Sequence, residues 1–196
     1  MNNAVNFPTV DQLKSELIRS TKNKRARNVL RDVLITLMLI ILFAFAASYY
    51  FFSVIQVRAS GMSPTLENNN IVVGIKKAQP NKGDIIAFYF QDQLLVKRII
   101  AIEGDIVSIS STGAVTVNGS LLNEPYVSIR NSTSECDIEF PFTVPPGRFF
   151  VLGDNRAVSL DSRHKEIGCV AQEQIAACLL FRIWPLQQIS LLNAEP

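Results

Sequence analysis

One apolar membrane anchor followed by a mainly β domain, an antiparallel sheet of barrel-like or folded-over form, is the fold class that this sequence predicts. Two observations predict it. From Val33 to Val57 the chain carries no charged residue, and about 20 apolar residues are enough to cross the hydrocarbon core of a bilayer. Beyond Val57 the pattern changes to short runs of β-branched and aromatic residues divided by Gly, Pro and Asn, the signature of many short strands at close spacing. The 196 residues have room for one anchor and one compact domain.

Residues 1–32 read as a polar, helical arm, with Asp11 as a candidate cap for Gln12 to Arg19. Residues 33–57 are read as one transmembrane helix, with Tyr49, Tyr50, Phe51 and Phe52 placed for an interfacial aromatic belt. The run is too long and too far from the N-terminus for the apolar core of a cleaved signal peptide. Residues 58–196 form the β domain. Its expected strands are Ile71 to Ile75, Ile85 to Phe90, Leu94 to Ile102, Ile106 to Ile109, Ala114 to Val117 and Phe149 to Leu152. Asn118-Gly119, between two apolar runs, predicts a two-residue hairpin. The segment from Asn123 to Pro146, with Pro125, Pro141, Pro145 and Pro146, reads as an irregular insertion.

Charge sets the expected orientation. Seven Lys/Arg against three acids give residues 1–32 a net charge of +4, while the remainder carries −2. The positive-inside rule therefore puts the N-terminus in the cytoplasm and the β domain across the membrane. A nucleic-acid partner does not suit a basic cluster that abuts an apolar span in an otherwise slightly acidic chain. The three cysteines, Cys136, Cys169 and Cys178, are an odd count. Cys169 and Cys178 read either as one disulfide or as small core residues. No His/Cys spacing suggests a metal, and no cofactor is implied. His164, the one histidine, lies in a polar run that suits a solvated loop.

Three blocks carry candidate chemistry. They are Ser60-Gly61-Met62-Ser63-Pro64-Thr65-Leu66, then Val96-Lys97-Arg98 through Gly104-Asp105, and Gly153-Asp154-Asn155-Arg156 with Ser159, Asp161, Ser162 and Arg163. A lysine can act as a base near neutral pH only if burial disfavours its charged form. Apolar residues on both sides of Lys97 supply that setting, although an edge-strand lysine that blunts aggregation would look the same locally. In order and spacing the three blocks resemble the signature boxes of type I signal peptidases. These are membrane serine proteases that remove signal peptides with a Ser–Lys dyad, and the short length and single span are similar to their Gram-positive members.

The resemblance implies that Lys97 is the general base and that Ser159 orients it. It implies that Asp154, Asp161 and Arg163, with Arg98 and Arg156, form bracing ion pairs. It also implies shallow pockets for Ala-x-Ala signal-peptide ends, lined by Met62, Pro64, Ile85, Ile86 and Phe88. The implied reaction is removal of signal peptides from exported preproteins at the outer face of the cytoplasmic membrane. At one position the pattern breaks. The nucleophilic serine of the family falls on Gly61, natural or introduced, and glycine has no side chain with which to attack a carbonyl. Ser60 and Ser63 are candidates for a displaced nucleophile, but in extended backbone Ser60 faces the other side and Ser63 lies about 6–7 Å along the chain. Ala59, two residues before the nucleophile position, lacks the hydroxyl that some members use in the oxyanion hole. The alternative function is a non-cleaving accessory protein that holds secreted substrates, after the manner of relatives that assist pilus assembly beside pilin and sortase-system proteins.

Overall fold

The computed structural model describes residues 9–58, 60–76, 79–127 and 136–192. The chain forms two compact units, divided after Ser48. The first is the greater part of one helix, α1 (Val10–Phe51). Thr9, not Asp11, begins it. The Thr9 N–H donates to Gln12 Oε1 at 3.0 Å, and its carbonyl accepts from the Leu13 N–H at 3.1 Å. A Gln at the third helical position reaches back to satisfy the cap in this way, leaving Asp11 in the first turn, where an acid favours the helix dipole. Arg27–Phe51 has a mean hydropathy of 2.4 and is long and apolar enough to cross a membrane.

The second unit opens with a correction to the expected span. The helix ends at Phe51, and residues 52–56, read from sequence as its last turns, form β1 (Phe52–Gln56). Sheet pairing takes them. Residues Phe52 to Gln56 align with Ile75 to Ile71 of β2 (Ile71–Ile75), and Ile55 and Val57 go into the core. A short apolar run that follows a longer one gives no periodicity by which to separate strand from helix. Lys76 closes the helix end: its N–H donates to the Phe51 carbonyl at 2.9 Å and its Nζ to the Tyr49 carbonyl at 3.1 Å. A cation is stabilising at that terminus.

The main sheet runs in the order β1-β2-β11-β3-β4-β9-β10. Its further strands are β3 (Ile85–Phe90), β4 (Gln93–Ala101), β9 (Arg148–Leu152), β10 (Val170–Ala171) and β11 (Ile175–Trp184), with β12 (Ser190–Leu191) beside β11. A smaller sheet has the order β7-β6-β5-β8, from β5 (Ile106–Ile109), β6 (Val115–Val117), β7 (Ser120–Leu121) and β8 (Phe142–Thr143). All pairings are antiparallel among the described strands.

Asn118 and Gly119, with φ of 52° and 79°, turn the β6–β7 hairpin as Asn-Gly should. The β3–β4 hairpin reaches the same kind of left-handed turn with Gln91 and Asp92, at φ of 45° and 63°. No glycine advertises that turn in the sequence.

Alternation along β3 divides the core. Ile85 and Ala87 join Ile55, Met62, Leu66 and Val72 on one face, while Ile86 and Phe88 join Ile99, Val151 and Cys178 on the other. A third cluster, with Phe150, Leu152, Val107 and Val115, packs between the two sheets and includes Cys169. Cys169 and Cys178 are therefore buried free thiols in separate clusters, and Cys136 is an exposed free thiol. Burial pushes both buried thiols up to about 11, which keeps them protonated and inert at neutral pH.

Candidate active site

Strand β4 positions the candidate base. Its second half pairs on both sides, with Arg98 opposite Leu152 and Ile99 opposite Val151 on β9. Lys97 stands one residue before that pairing begins, opposite the fully buried Ile86 on β3. Where β9 ends at Leu152, the loop from Gly153 to Arg163 leaves the sheet. The Asn155 N–H donates to the Gly61 carbonyl at 3.1 Å, and Asn155 Nδ2 donates to the Ser60 carbonyl at 3.3 Å. The three sequence blocks thus meet at one point.

Three buried arginine–carboxylate pairs brace that point. Arg98 holds Asp154 with two parallel bonds, Nε–Oδ1 at 2.9 Å and Nη2–Oδ2 at 2.6 Å. Its third nitrogen donates to the Gly83 carbonyl, and its guanidinium lies 3.9 Å from the Tyr126 ring centre. Thr65 Oγ1 donates to Asp154 at 2.5 Å, which ties the first block to the third. Arg163 holds Asp161 at 2.8 Å and 3.0 Å and also donates to the carbonyls of Arg156 and Ser159. Arg156 pairs with Glu124 and donates to the Gly153 carbonyl. Glu124 is a site-bracing residue that sequence reading missed. It lies 32 positions from its partner, in the segment read as an irregular insertion, and no local pattern marks it. Thr65, Asn155 and Tyr126 were likewise not assigned roles from sequence.

These pairs consume three arginines and three carboxylates and leave Lys97 out. Lys97 is 4% exposed, and none of the ion pairs among the described residues includes it. Burial among apolar neighbours lowers its pKa below the ordinary lysine value, helped by the Arg163 guanidinium and opposed by the Asp161 and Asp154 carboxylates. Desolvation wins because each carboxylate already faces an arginine.

Residue 61 faces that amine. A Cβ placed on Gly61 would lie 2.9 Å from Lys97 Nζ and 3.6 Å from Ser159 Oγ. Ser159 Oγ is buried without a hydrogen-bond partner among the described residues. The segment from Ser60 to Leu66 is not extended. It is a turn, closed by Ser63 N–H to the Ser60 carbonyl and Leu66 N–H to the Met62 carbonyl. The extended-chain distances expected for Ser60 and Ser63 therefore do not apply. Ser60 is exposed, Ser63 is half-buried, and neither hydrogen-bonds Lys97 among the described residues. Ala59, weighed for the oxyanion hole, lies outside the described residues. His164 is half-buried in the turn at Asp161 and hydrogen-bonds no serine among the described residues. Among these residues no group of His, Cys, Asp or Glu is arranged to hold a metal ion.

A cleft of about 570 Å³ adjoins Gly61. Its walls are Val54 to Arg58 from the β1 edge, Met62, and Asp92 to Val96 from the start of β4. Both walls are strand edges, since β1 is the terminal strand of its sheet and Gln93 to Val96 pair only with β3. The expected pocket lining needs correction here. Ile85, Ile86 and Phe88 are fully buried, and they fill the core on both faces of β3 instead of presenting a surface. An apolar strand in mid-sheet, covered on both faces, has no side left for a ligand. Met62 borders the cleft while itself nearly buried, and Pro64 is exposed outside it.

Comparison with known proteins points to one family. The family model described as signal peptidase, peptidase S26, matches residues 30–184. A signal peptidase I of Bacillus caldolyticus is 34% identical, over 72% of this chain and 84% of that protein. A signal peptidase IB of Staphylococcus aureus strain COL is 32% identical, over 67% of this chain and 78% of that one. A probable signal peptidase I-2 of Synechocystis is 28% identical, over 93% and 88% respectively. A crystal structure of a signal peptidase I from Enterococcus faecalis V583 covers 52% of this chain and 97% of its own, at 32% identity and a TM-score of 0.43. The match extends from within the apolar helix to the end of β11, and on that ground the chain belongs to the signal peptidase family, peptidase S26.

Proposed function

We propose that this chain docks the signal-peptide ends of exported preproteins at the outer face of the cytoplasmic membrane and forms no acyl-serine with them. The observation that carries this reading is the aim of residue 61. The side-chain position pointing at Lys97 Nζ belongs to a glycine, at 2.9 Å from Cβ to nitrogen, while neither Ser60 nor Ser63 hydrogen-bonds the amine among the described residues. The dyad keeps its base and lacks its nucleophile. Docking has its own support in the cleft beside Gly61. A peptide can add as a strand to exposed sheet edges, with pockets reading alternate side chains, and both walls of the cleft are such edges. The basic arm and the apolar helix support an orientation with residues 1–32 inside and the β domain outside.

The test is cleavage and binding of a preprotein with an Ala-x-Ala site by detergent-solubilised protein, run beside Gly61→Ser and Lys97→Ala. Binding by the unaltered chain, with cutting only after Gly61→Ser, is the expected result. Lys97-dependent cutting by the unaltered chain, lost in Ser60→Ala or Ser63→Ala, would instead establish a displaced nucleophile and a working peptidase.

A further inference from the structure

We infer that Lys97 Nζ is a nucleophile in its own right, a covalent site for aldehydes, above all peptide aldehydes that enter through the cleft beside Gly61. The inference rests on the docking reading for the peptide part of the ligand and on the site's own geometry for the bond. Four features of that geometry point the same way. The nitrogen lies 2.9 Å from where a side chain at residue 61 would start, so no side-chain atom of residue 61 separates the amine from the cleft that Gly61 lines. Lys97 has no carboxylate partner among the described residues, although charged groups crowd the neighbourhood. Its surroundings hold the amine below the ordinary lysine pKa, and only the neutral amine has a lone pair to offer. Ser159 Oγ, buried and unpartnered among the described residues, sits 3.6 Å from the same starting point, placed to donate a hydrogen bond to an oxygen that develops negative charge there.

The chemistry is a condensation. The lone pair on Nζ forms a bond to the aldehyde carbon, and the carbonyl electrons move to oxygen. A proton passes from nitrogen to that oxygen, giving a carbinolamine. Loss of water leaves a C=N bond between lysine and ligand. Nothing is oxidised or reduced. In a chain with serine at position 61, a hydroxyl would stand between base and ligand and compete for the same carbon. With Gly61 the amine meets the ligand directly.

The experiment uses the full-length protein in detergent at pH 7 with two probes, propanal and the tripeptide aldehyde N-acetyl-Ala-Leu-alaninal. Sodium cyanoborohydride is added to reduce any imine to a stable amine, and peptide mapping by mass spectrometry locates the product. An ordinary lysine is neutral in only about one molecule in 10³ at this pH. Lys97 is therefore expected to be modified at least tenfold faster than exposed lysines such as Lys165, and faster again by the tripeptide aldehyde. Gly61→Ser should slow modification of Lys97 at least tenfold, and Lys97→Met, checked by thermal melting for folding, should abolish the adduct. Modification of Lys97 no faster than that of Lys165, or an unchanged rate in Gly61→Ser, overturns the inference. A parallel competition with the tripeptide amide, which cannot form an imine, separates the two readings. If the amide binds but neither aldehyde marks Lys97, the nucleophile is refuted and docking stands. If propanal marks Lys97 and the tripeptide gives no advantage, the nucleophile stands and docking fails.

Discussion

Gly61 and Gly153 flank the same buried serine, and a Cβ added to each meets very different neighbours. At Gly153 it would collide with the Gly61 carbonyl oxygen and with the Ser159 side chain, both held in the packed interior. At Gly61 it would meet the tip of the Lys97 side chain at 2.9 Å and otherwise ordinary contacts. Backbone cannot step aside, whereas the end of a lysine moves at little cost. The fold demands glycine at 153 and merely tolerates it at 61. Their loops differ in the same sense. The loop after β9 is fixed by buried ion pairs at Asp154, Arg156, Asp161 and Arg163, while the turn at residue 61 exposes Ser60 and hangs on Asn155 and Thr65. The site around Gly61 is thus a packed structure in its own right.

The largest effect expected from this contrast is the gain in Gly61→Ser. Peptide-bond cleavage of an Ala-x-Ala substrate should rise by at least about 10³-fold, because a serine acting with its base supplies far more than binding alone. The melting temperature should hardly change, since the lysine tip yields and serine restricts the unfolded chain more than glycine does. A large loss of stability in this variant would break the comparison, by showing that residue 61 is as tightly packed as residue 153.

Asp154→Ala comes next. It strands the Arg98 guanidinium at 3% side-chain exposure, leaving it the Gly83 carbonyl and the Tyr126 ring among the described residues. Removing one partner of a buried pair costs about 3–5 kcal/mol. The loss also frees Thr65 from the last box. Chemical denaturation of the two proteins measures it, and a cost under about 1 kcal/mol would mean that the pair braces nothing. Gly153→Ala should follow at about 1–3 kcal/mol, the usual range for overpacking a filled interior. If it proves as silent as Gly61→Ser, the contrast between the two glycines fails.

Much of this arrangement was legible before the fold was known, and the exceptions have physical causes. Strands announced by β-branched runs between turns, such as β2, β3 and β5, stand within a residue or so of their expected limits. Asn118-Gly119 makes its hairpin because both residues accept positive φ. Three blocks at fixed spacing converge because β4 and β9 are hydrogen-bonded neighbours and the loops beyond them have little choice. Pairing across long sequence separation was not legible. Glu124 finds Arg156 from a proline-rich segment, and β1 leaves an apolar run only because β2 offers it an edge. Ile86 and Phe88, by contrast, lie in an unbroken apolar run, Ile85 to Phe90, whose pattern itself points to cover on both faces.

The smallest effect belongs to Lys97, and its sign tests whether the amine is as dry as its surroundings imply. Burial lowers the pKa of Lys97 in the folded protein below 10.5, so between the lowered value and 10.5 the unfolded chain binds more protons than the folded one. Stability then rises with pH across that window. Below it both states are protonated and the full cost of burying the charge is present; above 10.5 that cost has gone. Lys97→Met removes the titrating group and keeps an apolar chain of similar length. The difference in melting temperature between the unaltered protein and Lys97→Met, followed from pH 7 to pH 10, should therefore move in favour of the unaltered protein as pH increases. A flat difference would mean that Lys97 titrates alike folded and unfolded. A difference moving the other way would mean that Asp161 and Asp154 outweigh desolvation, and the amine would then be an ion-paired cation with no capacity to act as base or nucleophile at neutral pH.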